Sequence, residues 1–312
     1  MQANMGMAGE FRVVVKRADG STKIDTGYQK NLILNQGLDF FGGGNGSDMM
    51  AYCVIGSGNS QPVYTQNKLD TAITGVSGTA SSTKYDYNAA RDGNLYKTNK
   101  VNKYSFTGLN NVNISELGLA STYSNATTYF LCTRALIKDS QGNPTTITVL
   151  NGEILEIYYK LWAVFDTTDK TGQINLLDGV GGSVAYNYVL SPMVVGHTYY
   201  KDAGYLLRSN SDKLVFSGDK AIFTGEPSGN FYSTRDNAIL SSYVMGSYKR
   251  VFTATFGIYD ANGNIRVYAF FNMGWWQIRF GSVANDSPIT KTNTQTLTIP
   301  VEVSWGRYEG AL

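Results

Sequence analysis

A chain of 312 residues can bury a sizeable core, and its length suits one large or two smaller β domains, of which two are expected. Charged residues are only 16% of the chain; Gly, Asn, Thr, Ser and 22 Tyr take their place, residue types suited to turns, strands and interfaces with one wet side. The formal charge of +2, with no Lys/Arg block, offers no attraction to nucleic acid or acidic membranes, and no run approaches the ~18 apolar residues of a membrane-spanning helix.

In chain order, residues 1–10 have neither a basic start nor an apolar stretch, so they read as a flexible N-terminal arm and not as a secretory signal. Synthesis in a cytoplasm follows from that reading. Phe11–Lys16 is a β-branched run, and the turn Ala18-Asp19-Gly20 leads to a second strand ending near Ile24, which predicts a hairpin. Behind Asn31 as N-cap, Leu34, Leu38 and Phe41 recur at helical spacing and predict one short helix, weakened by Gly37. Tyr52–Ile55 reads as a buried strand closed by Gly56-Ser57-Gly58-Asn59. Residues 71–84 are small and polar without a period, and predict an exposed loop or arm able to reach a neighbouring subunit.

Strand signals resume at 103–106, 114–119, 129–137, 145–150 and 154–164, with a polar turn at Asp139–Pro144. Regular short strands of this kind argue for a sandwich or barrel. Residues 166–172 are polar between apolar runs and mark a boundary. The expected organisation is an N-terminal β domain over 11–166 and a C-terminal β domain over 173–312, both β-sandwich-like, with long loops. In the second, Val251–Tyr259 and Asn264–Phe271 read as a hairpin around Asp260-Ala261-Asn262-Gly263. Leu297, Ile299, Val301, Val303 and Trp305 alternate with Thr298, Pro300, Glu302 and Ser304, a strand with one buried face, and Pro300 suggests an edge or a bulge.

Nucleophilic hydrolysis needs a base within reach of the nucleophile, and the single histidine, His197, comes with no Gly-x-Ser-x-Gly elbow. Cys53 and Cys132 lie far apart without metal-ligand spacing and read as buried thiols. Asp166 and Asp169 lack the remaining ligands of a calcium loop, and neither Gly42–Ser47 nor Gly56-Ser57-Gly58 carries a phosphate-binding pattern. Glu116, Glu153, Glu156 and Glu226 are the carboxylates from which a glycosidase pair would be drawn, but strand and turn positions explain them without chemistry. No catalytic residue, metal or cofactor is expected, and the chain does not read as an enzyme. A pairing of Arg134 with Glu116 would be structural. Trp275 and Trp276, beside Tyr268, Phe270, Phe271 and Phe280, are the densest aromatic cluster; neighbours in a strand face opposite ways, so one fills the core and the other anchors a partner or a sugar. Tyr199 and Tyr200 are a second candidate contact.

Several segments together resemble a family of virion structural proteins of tailed bacteriophages: Asn31-Leu32-Ile33 with Gly37-Leu38-Asp39, Tyr52–Asn59, Phe106 through Ile114–Gly118, Thr133–Asp139 and Pro144–Val149. The order covers Phe11 to Leu161, and the close of the chain, Leu297 to Tyr308, is also similar. The resemblance implies assembly into a particle, with family labels that range over neck, tail and fibre. The protein expected on this reading is a tail- or neck-associated one of tail-fibre, collar or baseplate type, a homo-oligomer bound to other virion proteins. A receptor-recognition protein that binds a host surface glycan is the alternative, and a glycan depolymerase a more distant one. No long collagen, heptad or β-helix repeat is present, so a complete fibre shaft is not expected.

Overall fold

The structure, a computed structural model, describes residues 1–43, 49–80, 90–177, 181–193, 213–223, 225–233 and 238–312. It is all-β, with 58% strand, 4% helix and several sheets. In chain order the elements are β1 (Gln2–Lys16), β2 (Thr22–Ile33), α1 (Asn35–Gly43), β3 (Tyr52–Gly56), β4 (Ala72–Ser77), β5 (Thr79–Ala80), β6 (Ala90–Asp92), β7 (Leu95–Phe106), β8 (Val112–Ile114), β9 (Glu116–Asn125), β10 (Thr128–Leu131) and β11 (Thr133–Leu136). They continue with β12 (Ile147–Val149), β13 (Ile154–Asp166), β14 (Lys170–Leu177), β15 (Ser183–Met193), β16 (Lys213–Phe216), β17 (Phe231–Ser233), β18 (Ala238–Leu240), β19 (Lys249–Phe256), β20 (Gly263–Ile265), β21 (Val267–Phe271), β22 (Trp275–Ser282), β23 (Ile289–Lys291) and β24 (Leu297–Arg307).

The chain divides into two compact units whose limits fall inside strands. The N-terminal unit holds Gly6–Asn88, Thr98–Ala163 and Gly306–Leu312; the C-terminal unit holds Met1–Met5, Ala89–Lys97 and Val164–Trp305. The division at 163/164 thus precedes the polar 166–172 segment, because β13 continues to Asp166.

In the N-terminal unit, β2, β11, β9, β3 and β4 lie side by side after β1. The β1–β2 hairpin forms around Ala18-Asp19-Gly20, with Ser21 N bonded to Asp19 Oδ1 at 2.8 Å. Leu34, Val54, Leu69, Ala120, Tyr129 and Leu131 pack into one apolar cluster. Three expectations are corrected here. Residues 1–10 are not a flexible arm: Ala3, Met5 and Met7 alternate inward along β1 and are fully buried. Asn31 does not cap the helix. Strand β2 runs on to Ile33 because Leu32 and Ile33 pair with Arg134 and Thr133, and the first helical bond is Leu38 N to Leu34 O at 3.1 Å. The expected loop at 71–84 is strand over 72–77 and 79–80: β4 pairs with β3 from Tyr52↔Ser77 to Gly56↔Ala72, and 81–84 lie outside the described residues. Small residues allow that pairing, since a Cβ on Gly75 would lie 2.7 Å from the Tyr123 ring.

The C-terminal unit contains a six-stranded sheet, β14-β15-β22-β21-β16-β17, and the run β18-β19-β24. The two pack face to face through Phe252 on Phe270, stacked at 5.0 Å, and Phe256 edge-on to Tyr268 at 5.8 Å. This is the layered arrangement of a sandwich. The expected hairpin between 251–259 and 264–271 does not form, since β19 pairs with β18 and β24 while β21 pairs with β16 and β22. The two segments face one another across the core instead of sharing a ladder. The terminal strand alternates as expected, with Leu297, Ile299, Val301, Val303 and Trp305 buried. Pro300 marks neither an edge nor a bulge: β24 lies between β19 and β1, and its pairing with β19 has no register shift. Glu302 N bonds to Met1 O, so the nitrogen of Pro300, two residues earlier, also points away from β19 and costs that ladder no bond.

Candidate functional site

The densest polar construction among the described residues lies inside the N-terminal unit. Glu116 begins β9 and Arg134 sits on β11, and both side chains are fully buried. Arg134 Nε donates to Glu116 Oε2 at 2.9 Å, its second terminal nitrogen to Asp70 Oδ2 at 2.7 Å and its first to Ser60 Oγ at 3.2 Å. Glu116 also accepts the backbone N–H groups of Gly58 and Thr71 at 2.9 Å each and of Asp70 at 3.2 Å. Burial alone would raise the Asp70 carboxyl, but hydrogen bonds from Ser60 and the nearby Arg134 hold it below the usual carboxylate range.

The glycines of Gly56-Ser57-Gly58 serve this arrangement. A Cβ on Gly56 would lie 2.7 Å from Glu116 Oε1, and one on Gly58 2.4 Å from the same atom. They admit a carboxylate rather than a phosphate. Because every described bond of Glu116 runs to a neighbouring segment, the group ties the 56–71 loop to β9 and β11. Its chemistry is structural, as the sequence pairing of Arg134 with Glu116 suggested.

Beside it opens a cleft of about 220 Å³ bordered by Lys30, Asn31, Arg134, Lys138, Arg307 and Glu309. Ligand pockets run from roughly 300 Å³ upward, so this one is small. Much of its polar rim is spent internally: Arg307 donates to Ile33 O at 2.6 Å and Asn35 Oδ1 at 2.7 Å and lies over the Tyr64 ring, and Lys30 reaches Gly310 O at 3.2 Å.

The remaining carboxylates named from the sequence do not assemble into a pair. Glu153 is held by Lys23 at 2.8 Å, which pulls it below its ordinary range. Glu156 would be raised by burial, yet bonds from Lys103 and from Tyr158 Oη, at 3.0 Å for the latter, bring it down. Glu226 belongs to the other unit, where it borders a pocket of about 370 Å³ with Phe216 and Phe231 and, among the described residues, no second acid in the lining. General acid–base work on a glycoside requires two carboxyl groups facing each other, and no described pair of these four does so. Among the described residues no group of three or more His, Cys, Asp and Glu could hold a metal ion. Cys53 and Cys132 are both free and buried, and burial pushes the Cys132 thiol up to about 12 and raises Cys53 as well.

The aromatic cluster is placed differently from the expectation. Trp275 and Trp276 open β22 after the turn Asn272-Met273-Gly274, and both are buried, at 5% and 0% exposure. They point to opposite faces, but β22 lies between β15 and β21 and the sheet is covered on both sides at this point. Trp276 meets Phe165 edge-on at 5.8 Å and donates from Nε1 to Asn272 O at 3.1 Å; Trp275 packs on Phe271 at 5.2 Å. Neither is presented to a sugar or a partner as an exposed anchor. The turn itself could have been read from Asn-Met-Gly between two aromatic runs: Met273 and Gly274 have φ of 49° and 110°. Tyr199, Tyr200 and His197 lie outside the described residues.

Compared with protein-family models, curated proteins and solved structures, the chain matches none. What it offers by itself is an all-β scaffold whose described ionisable clusters are engaged in holding segments together. Among the described residues no helix is long and apolar enough to cross a membrane.

Proposed function

We propose that this chain is a structural component of a tailed-bacteriophage virion, a tail- or neck-associated protein of tail-fibre, collar or baseplate type that self-assembles and attaches to other virion proteins. The observation that carries the reading is where the resembling segments lie. Asn31-Leu32-Ile33, Tyr52–Asn59, Glu116-Leu117-Gly118 and Thr133–Leu136 occupy β2, β3, β9 and β11, adjacent strands locked by the Arg134–Glu116–Asp70 network. They build a framework, and where Asn31 and Arg134 border the small cleft much of its polar rim is bonded internally, as expected of a part selected for assembly. The strand-rich, charge-poor composition supports the same reading, since such surfaces suit durable, partly wet interfaces.

The glycan-recognition alternative drew on Trp275 and Trp276, whose burial removes that platform, and on Tyr199 and Tyr200, which lie outside the described residues; a depolymerase has no described acid pair to act with. The test is to purify particles from an infected culture, identify this chain by mass spectrometry and locate it by cryo-electron microscopy. Density for it as a ring or appendage on tail or neck is the expected result. Its absence from particles by both methods overturns the proposal.

A further inference from the structure

Strand β14 is an eight-residue outer strand of the six-stranded sheet, and among the described residues β15 is the strand it pairs with. The ladder between them runs from Lys170↔Leu190 to Leu177↔Ser183 without a register shift. Among the described residues no strand pairs with the opposite edge of β14, whose row of backbone N–H and C=O groups is a ready template for another strand. Proteins blunt such edges with short strands, Pro, bulges or charge. Outer strands elsewhere in the chain are blunted: β17 and β18 have three residues each, and the pairing of β4 is irregular between Ile55 and Gly56. Strand β14 has no Pro and no bulge, and its one charge, Lys170, stands at its first position.

We propose that β14 is the strand through which two copies of this chain pair, antiparallel, across a twofold axis at Gln173 or Ile174. The inference rests on the self-assembly part of the reading above and names its surface. The strand's own side-chain rows fit a second copy, and charge sets the direction. Seven of the eight residues are neutral, so nothing in β14 calls for an acidic or a basic partner strand. Parallel pairing of two copies would set the Lys170 ammoniums side by side, whereas antiparallel pairing separates them by roughly 20 Å for an axis at Gln173 and roughly 27 Å for one at Ile174, at ~3.4 Å per residue, beyond the ~8–10 Å over which exposed charges act at ordinary ionic strength.

The side-chain rows agree with that arrangement. Thr171, Gln173, Asn175 and Leu177 form the exposed row, and Lys170, Gly172, Ile174 and Leu176 the half-buried one. A twofold axis through a residue makes every position meet one of its own row, so polar faces polar and the sheet continues unbroken into the second copy. Leu177, 87% exposed at the end of the strand, comes to lie beside the first residues of the other copy's β14 and loses much of its contact with water.

The test uses the full chain. Sedimentation or light scattering is expected to give an even multiple of the single-chain mass, and the double variant Thr171→Lys with Asn175→Lys half of that value, with an unchanged near-ultraviolet circular dichroism spectrum. Separate Gln173→Cys and Ile174→Cys variants add a readout that no folding defect mimics: one of them forms a disulfide-linked pair of chains under mild oxidation, while the native cysteines are buried. An oligomer that keeps its mass in the lysine variant and cross-links at neither position overturns the pairing at β14 and leaves self-assembly standing. A wild-type chain that sediments at the single-chain mass overturns both.

Discussion

Arg134 and Glu116 meet at 2.9 Å with both side chains fully buried, on strands β11 and β9 that pair directly through Ala135↔Leu117 and Leu136↔Glu116. Taking both charges out of water costs several kcal/mol per ion, and three backbone N–H groups on Glu116 together with Asp70 on Arg134 offset that cost. What the pair secures is the path of the loop from Gly58 to Thr71.

Removing one partner strands the other. Glu116→Gln is expected to lower the stability of the N-terminal unit by roughly 3–5 kcal/mol. Asp70→Asn, at a position 30% exposed, is expected to cost less than half as much. Urea denaturation followed by circular dichroism distinguishes these; equal losses would mean that Asp70 compensates the arginine as much as Glu116 does.

Two glycines of α1 are expected to respond in opposite ways. Alanine favours a helix interior by about 1 kcal/mol over glycine. At Gly37, however, a Cβ would lie 2.2 Å from the carbonyl oxygen of Cys132, whereas at Gly43 it meets nothing within 4 Å. Gly37→Ala should therefore destabilise the protein, and Gly43→Ala should be neutral or slightly stabilising. Thermal melts of the two variants decide the matter, and a stabilised Gly37→Ala would refute the close packing of α1 on the backbone of Cys132.

Acid sensitivity should follow from Asp25, whose carboxyl is lowered to about 2, first by the hydrogen bond from Arg12. A depressed carboxylate contributes stability that is complete above its unfolded value, ~3.9, and is lost as pH falls through the folded value. The wild type is accordingly expected to hold its melting temperature down to about pH 4 and to lose part of it between about pH 4 and 2. Asp25→Asn should show a shallower fall over that window; parallel curves would remove the Arg12–Asp25 pair from the account.

All four tryptophans, Trp162, Trp275, Trp276 and Trp305, are buried, with exposures of 7% or less. Their native fluorescence is expected to be blue-shifted, poorly quenched by iodide and insensitive to added oligosaccharides. Efficient iodide quenching that is lost in Trp275→Phe would restore that side chain as a surface anchor.

Much of the fold was legible in residue order. The β1–β2 hairpin, the inward row of β24 and the turn at Asp139 follow from period-two alternation and from turn chemistry, both local properties. Alternation of Ala3, Met5 and Met7 carried the same signal in the first ten residues and was masked by the small, mixed composition around it. The small residues of β4 gave no signal at all, because what makes them a strand is the partner edge of β3.

Residue order by itself determined that the chain is built of strands, that its net charge is only +2 with no Lys/Arg block, and that its glutamates and lone histidine form no recognisable catalytic motif. Those conclusions depend on composition and short-range pattern. Only the tertiary structure decided that Trp275 and Trp276 are both core residues, that Gly56 and Gly58 make room for Glu116, and that 251–256 and 267–271 belong to different layers. Burial and pairing between segments remote in the chain depend on which surfaces meet, a property no local window contains.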